Sequence, residues 1–545
     1  MKTKAFRYAL IPVFIIVLAA VAFLLKNSFS GLGSESMEPS QDEIIFSYGD
    51  GFYESAIKLR LSLNKGIEGS IYYTLDGNAP SNDSEKYSKK IELRPEGDDY
   101  PKGYCVRAQV VHTDGTVSEV YTHNYIISTS VKKRFSTSVI CVTGAPEQLT
   151  DGPDGIFYGD NVDKRGKESE RPIHLEMFDK TGNVILSQNC GVRPYGGASR
   201  HAFVKSMKFY ARKEYDPQKK FVTDIFNTPK EYEEGNISEY KRLVLRNLGN
   251  DFNFAYIRDE FLQIEARKAG YADAEGVVPA VLYLNGKYNG LLWLHENYCD
   301  EYFKEKYGDK AKGEFAVIEG TELEKISDEP DAPTDEFNAG YNELIKLDLK
   351  DDENYSKVCE FIDVENYLDY YAYNLVVNNF DWPDNNVKCF RYYPVEDDRY
   401  SEGVFDGRWR FLLHDMDWSL GWDEFSVASY DNFADYFNTD SPYANSLIVH
   451  LLEREELKVY LKDKIEYLLD NIFESSSVLK DFDEVNGLRS KEQEYYQKWL
   501  EENEIYDEGD WGPDFDHYLN SMEAINVFLT QRPSYVKELV KKYLE

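Results

Sequence analysis

Asn378-Asn379-Phe380-Asp381-Trp382-Pro383-Asp384-Asn385-Asn386 and, further along, His414-Asp415-Met416-Asp417 organise the reading of this chain. The first stretch follows an amphipathic helical pattern over residues 361–379, and Pro383 forces it off helix geometry. The second ends an apolar run, Trp409–His414, that reads as a strand, with Gly421 shortly after. A second strand-like run, Val387–Tyr393, lies between them. Acids and amides at a strand's end, beside a second Asp/Asn loop, are hard-oxygen chemistry. Mg²⁺ takes one or two carboxylates and leaves its other positions to water and substrate phosphates.

Outward from this centre the pattern is mixed. Strand-like segments dominate 135–215, residues 253–268 read as a helix stopped by Gly270, and 277–293 read as a hairpin about Asn285-Gly286. From about residue 441 to the end the pattern is helical. Upstream, Ile57, Leu59, Leu61 and Leu63 alternate with polar residues, as do Val106, Ala108 and Val110, and Asp114-Gly115 marks a turn. Short strands with turn signals over 44–128 predict a small β-sandwich. The fold class is therefore α+β, with a β-sandwich, a linker over 27–43, and a larger two-lobed domain over 135–545 whose C-terminal part is helical.

Composition narrows the function. The 545 residues carry 62 Lys+Arg against 98 Asp+Glu, a formal charge of −36, which excludes a dedicated nucleic-acid binder. With 42% hydrophobic and 15% aromatic residues the chain is not an acidic disordered one. Lys2, Lys4 and Arg7 precede an apolar run over residues 9–25. Residues 1–26 thus read as a signal anchor with the bulk of the chain outside the membrane. The apolar run continues past Ala20-Val21-Ala22, so cleavage and secretion is the alternative. The six cysteines form no CxxC pair, which excludes a zinc ribbon.

Two resemblances complete the reading. The strings Phe46-Ser47, Gly51-Phe52-Tyr53, Ile71-Tyr72-Tyr73-Thr74-Leu75-Asp76-Gly77 and Pro80 resemble the chitobiase/β-hexosaminidase C-terminal-type module, an immunoglobulin-like accessory domain. It implies a surface or polysaccharide-facing protein. The remainder resembles the CotH kinase family, spore coat protein H-like atypical kinases of exported proteins. The resemblance rests on Gly191-Val192-Arg193-Pro194-Tyr195-Gly196-Gly197-Ala198-Ser199-Arg200, Lys205-Ser206-Met207-Lys208-Phe209, Leu243–Asp251, Arg258-Asp259, Tyr283-Leu284-Asn285-Gly286, Glu296-Asn297-Tyr298 and both acidic clusters, in that order.

Asp381 and Asn386 are five apart, the offset at which a kinase catalytic loop carries its base and a metal-binding Asn. Spacing alone leaves an Asx turn open for Asp381 and a helix N-cap open for Asp417. The CotH resemblance implies ATP with Mg²⁺ or Mn²⁺, Asp381 as catalytic base, and Asn386, Asp415 and Asp417 as metal ligands. It also places Gly196, Gly197, Arg200, Lys208 and Glu296 at the nucleotide. Lys205 is the rival to Lys208, and Glu265 on the 253–268 helix is the expected acidic partner of whichever lysine serves. The implied activity is phosphotransfer to Ser or Thr of exported proteins. A polysaccharide hydrolase using paired carboxylates, or a non-catalytic surface scaffold, is the alternative.

Overall fold

The computed structural model describes residues 42–308, 312–320, 334–383, 385–396, 402–437, 443–505 and 515–545. The predicted anchor over 1–26 lies outside them, and among the described residues no helix is long and apolar enough to cross a membrane.

The N-terminal strands span Ile44–Phe46 to Tyr121–Ile127. The main sheet pairs Lys102–His112 with Gly69–Thr74 on one side and Tyr121–Ile127 on the other. Alternation works as read: Val106, Ala108 and Val110 all point into one core with Ile57, Leu59, Ile71 and Leu93. Two apolar residues leave that core. Phe52 and Ile126 pack instead with the larger domain, Phe52 against Phe135 and Phe178 at 5.3 and 5.5 Å.

The module is seated by polar contacts as well. Gly103 N donates to Gly286 O at 3.0 Å, so a side chain at either glycine would meet backbone. Tyr283 Oη donates to Pro101 O at 2.8 Å, and Asn124 Nδ2 donates to Glu176 at 2.9 Å.

The larger domain begins with a closed barrel whose neighbouring strands are Ser138–Thr143, Arg171–Phe178, Val184–Pro194, Met207–Tyr210, Arg242–Arg246, Lys287–His295 and Val277–Leu284. The predicted hairpin at Asn285-Gly286 is present, with φ of +48° and +76°, the pair of left-handed residues a two-residue turn requires. Closure comes from Ser138–Thr143 pairing in parallel with Val277–Leu284.

Helix Arg258–Lys268 starts later than the sequence predicts. The Asp251 carboxylate accepts from the backbone N of Ala255, Ile257 and Arg258 at 2.8–3.0 Å and holds the preceding segment in a 3₁₀ turn.

The second lobe packs the antiparallel sheet Glu314–Gly320, Val387–Tyr393, Arg410–Leu412 against helices. Helix Val364–Val377 starts on an Asp363 cap and ends on Asn378 at φ +52°. Its last carbonyls are held by Arg532, which is buried in the long C-terminal helix Phe515–Tyr543 and donates to Leu375 O at 2.8 Å and Val376 O at 3.2 Å. The C-terminal helix thereby fixes the point from which the Asp381 loop departs. None of the six cysteines is in a disulfide.

Candidate active site between the barrel and the helical lobe

Strand register brings the two acidic clusters together. Lys388 pairs with Leu412 in antiparallel strands, so the loop before Val387 and the loop after Leu412 emerge at the same end of the sheet. Phe380 N donates to Trp418 O at 3.1 Å, and Asn386 Nδ2 reaches Asp415 O at 3.4 Å. Asn386 and Asp415 sit at φ +57° and +50°, a conformation that Asn and Asp tolerate better than other side chains. Asp381 Oδ2 accepts from the side-chain amides of both Asn385 and Asn386 at 2.9 Å, which orients the carboxylate. Asp384 lies outside the described residues.

The barrel supplies the opposing cations. Arg193, Lys208, Val244 and His295 are directly opposite one another across four strands, so they share one face, and Arg246 lies two residues beyond Val244 on that face. Arg246 is buried and donates to both Asp415 and Asp259. Burial works against Asp415 as an anion, but Arg246 and His414 outweigh it and hold its pKa below the ordinary carboxylate value.

Asp417 is the opposite case. Burial first, and the Asp415 charge second, push its pKa well up. Its Oδ2 accepts from Asn250 N at 2.7 Å, while Oδ1 is buried with no hydrogen-bond partner among the described residues. Gly249 stands against it at φ +59°, and a Cβ there would lie 2.3 Å from Asp417 Oδ2. Two carboxylates, an amide, an unsatisfied oxygen and a glycine that keeps the space open fit a small hard cation.

Behind this pair runs an ionic chain that the sequence reading did not assign. His295 bridges Glu260 at 3.1 Å and Glu275 at 2.9 Å, and its pKa is raised to about 9 because those acids outweigh the burial that opposes its charge. His414 lies 3.4 Å from Glu275 and 3.5 Å from Glu319, and it too is raised to about 9, against burial and the Lys388 charge. Lys388 closes the chain on Glu319 at 3.0 Å. Asp259, Glu260 and His295 have metal-ligand types within reach of one another. Their atoms are engaged by Arg246, Met416 N and Glu275, so this cluster is an internal ion-pair network.

The other expected residues divide. Tyr195, in the Gly191–Arg200 turn, has its hydroxyl within the field of Glu319, Arg246, Glu275 and Asp415, although burial is the main reason its pKa is raised. The turn therefore lies over the cluster. Gly196 at φ +100° and Gly197 shape it. Arg200 is buried and staples the turn from within, donating to Gly196 O and Val162 O at 2.8 Å. Lys208 is buried on the cleft face with its ammonium 5.7 Å from the Tyr195 ring centroid. Lys205 donates to Arg200 O at 3.1 Å, and burial lowers its pKa to about 8. Lys205 thus binds the turn's own backbone, whereas Lys208 lies on the cleft face.

Two of the expected residues are engaged by neighbours outside the two acidic loops. Glu296 accepts from Tyr240 Oη at 2.9 Å, Gly276 N at 2.7 Å and Arg267 at 3.2 Å, so it is a saturated structural carboxylate. Glu265 pairs with Lys268 at 2.7 Å; the acids of that helix that reach the cleft network are Asp259 and Glu260. Trp382 packs on Tyr371 at 4.6 Å and is core, while Trp418 and Trp422 stack on each other at 4.1 Å.

A barrel lobe and a helical lobe meet at the loop of Asp381 and Asn386, the loop of Asp415 and Asp417, and the strand of Lys208. Residues 195–536 match the family model described as CotH kinase protein, and residues 48–122 match that of the chitobiase/beta-hexosaminidase C-terminal domain. The chain belongs to the CotH kinase family, with that accessory domain in front. A search of curated proteins finds no match.

Proposed function

We propose that the chain transfers the γ-phosphate of ATP to a Ser or Thr hydroxyl of an exported protein. The observation that carries this reading is the convergence of Asp381, Asn386, Asp415 and Asp417 beneath a glycine turn and Lys208. Asn386, Asp415 and Asp417 would hold Mg²⁺ or Mn²⁺, which when bound neutralises charge on the phosphates. Lys208 and the backbone at Gly196 and Gly197 orient the phosphates.

Asp381 takes the proton of the acceptor hydroxyl. That oxygen bonds to the γ-phosphorus as the bond from phosphorus to the bridging oxygen breaks, and ADP leaves. Arg246 holds Asp415 in place and balances its charge. The apolar run over 9–25 supports a membrane-anchored enzyme facing outward, with secretion after cleavage as the alternative, and the accessory domain supports contact with envelope polysaccharide.

A glycosidase needs one carboxyl as acid and another as base or nucleophile, whereas here Asp381 is tied to two amides and Asp415 to an arginine. The test is radiolabelled ATP turnover by wild type and Asp381→Asn. The variant should lose about 10²–10⁴-fold in phosphotransfer with ATP affinity unchanged. Wild-type transfer rates in a folded Asp381→Asn protein would overturn the assignment.

A further inference from the structure

The cleft face of the barrel does not end at Lys208. Tyr210 lies two residues further along the same strand and the same face, opposite Gly191 and Arg242. There it forms part of a cavity of about 290 Å³ whose charged lining is Arg212, Lys213, Lys219, Lys241, Arg242 and one acid, Glu301. Five cations against one carboxylate is an inversion in a chain whose formal charge is −36.

Arg212 is already held by Glu170 at 3.0 Å, and its guanidinium lies 4.9 Å from the Tyr210 ring centroid. Lys213, Lys219 and Lys241 have no carboxylate or hydrogen-bond partner for their ammonium groups among the described residues. Three lysines brought together without carboxylates of their own raise the local positive potential, which an anion seated among them would lower.

We infer that this cavity binds a phosphomonoester on an acceptor that already carries one, so that the enzyme reads its own product chemistry. A phosphorylated side chain brings close to two negative charges and three acceptor oxygens, which suits several lysines, whereas a carboxylate would satisfy one. The cavity is sized for one such group rather than a polymer. The acidic remainder of the surface opposes nucleic acid and anionic lipid. The inference rests on the proposed phosphotransfer for its biological sense, but its test does not require turnover.

Binding of the full chain to a short glycine-rich peptide with one phosphoserine, and to the same peptide with serine, is measured by calorimetry. The wild type should prefer the phosphopeptide by at least tenfold. Lys213→Gln/Lys219→Gln/Lys241→Gln should abolish that preference while leaving Mg-ATP affinity unchanged, and Asp381→Asn should keep it. These are half-buried or exposed lysines, so the triple variant should fold, and an unchanged melting temperature checks this. Equal wild-type affinity for the two peptides would overturn the inference. So would loss of ATP binding in the triple variant, which would make the cavity part of the donor site. Wild-type binding to phosphatidylserine vesicles that the triple variant lacks, without phosphopeptide preference, would overturn it in favour of a lipid surface. Phosphopeptide preference without any kinase activity would leave the inference standing and remove the proposed function.

Discussion

Two regions of this molecule bury titratable groups, and they treat them differently. At the seam between the N-terminal module and the barrel, burial is resolved by neutrality. His174 has its pKa lowered to about 4 by burial and sits between Asn189 at 3.0 Å and Ser187 at 3.1 Å. Glu176 is pushed well up, by burial first and Asp50 second, and accepts from Asn124.

At the cleft, burial is resolved by opposing charge, through Arg246, His295, His414 and Lys388 against five acids. Each place also holds one buried carboxylate oxygen, of Glu176 at the seam and of Asp417 at the cleft, with no hydrogen-bond partner among the described residues. Perturbed groups occur in both places, so a perturbed group alone does not mark a site. The seam is a packing surface, and the cleft is where the proposed cation would sit.

The comparison breaks most sharply at Asp415. Asp415→Asn should lower Mg-ATP affinity and turnover together by a hundredfold or more, on the order expected when a metal ligand is lost. It also leaves Arg246 with one carboxylate partner instead of two. Calorimetry beside turnover measures both, and a loss of turnover alone would remove Asp415 from the metal.

Gly249→Ala should have a smaller effect, about tenfold on Mg-ATP affinity, because its Cβ intrudes on Asp417. The left-handed φ adds a stability cost of about 1 kcal/mol. An alanine variant with wild-type affinity would show that the space beside Asp417 is not used.

At the seam the expected effects are on stability. The unfolded His174 gains a proton below its ordinary pKa of 6.5, while the folded one resists down to about 4. Its contribution is therefore full above pH 6.5 and is lost as pH falls through this window, by about 3 kcal/mol. Thermal melts from pH 7 to 4 should show a shallower decline in His174→Gln than in wild type.

Glu176 has the opposite sign. Its folded pKa is raised, so stability is lost as pH rises above the ordinary carboxylate value. Glu176→Gln should match wild type at pH 4 and be the more stable of the two at pH 8. Phosphotransfer should be unaffected by either seam variant.

Much of this was legible where the signal is local. The Asn285-Gly286 hairpin, the helix ending near Asn378 and the strands carrying Lys388 and Arg410 all follow from periodicity and turn chemistry. That Asp381, Asn386 and Asp415 belong together was an expectation from acids at a strand's end beside an Asp/Asn loop and from the CotH resemblance; the pairing of Lys388 with Leu412 is what brings the loops to one end.

What the sequence hid are contacts between distant residues. The parallel pairing that closes the barrel, Arg246 reaching Asp415, and the His295–Glu275–His414 chain leave no mark at any one position. Arg242, Val244 and Arg246 do alternate, and that period places a cation on one face, but nothing local says which face meets the acids. Glu296 and Glu265 show the converse: each stands near the expected place, yet Glu296 accepts from Tyr240, Gly276 and Arg267, and Glu265 pairs with Lys268 through one oxygen. The module, read as a small accessory sandwich, also lends Phe52 and Ile126 to the larger domain's core.

The central claim is that the cleft is a metal-dependent nucleotide site. Calorimetric titration of ATP into the full chain, once with Mg²⁺ and once with chelator, tests it most directly. The account predicts tight binding with Mg²⁺ and its loss under chelation, since Asn386, Asp415 and Asp417 hold ATP only through the cation. Equal affinity in both titrations would contradict it.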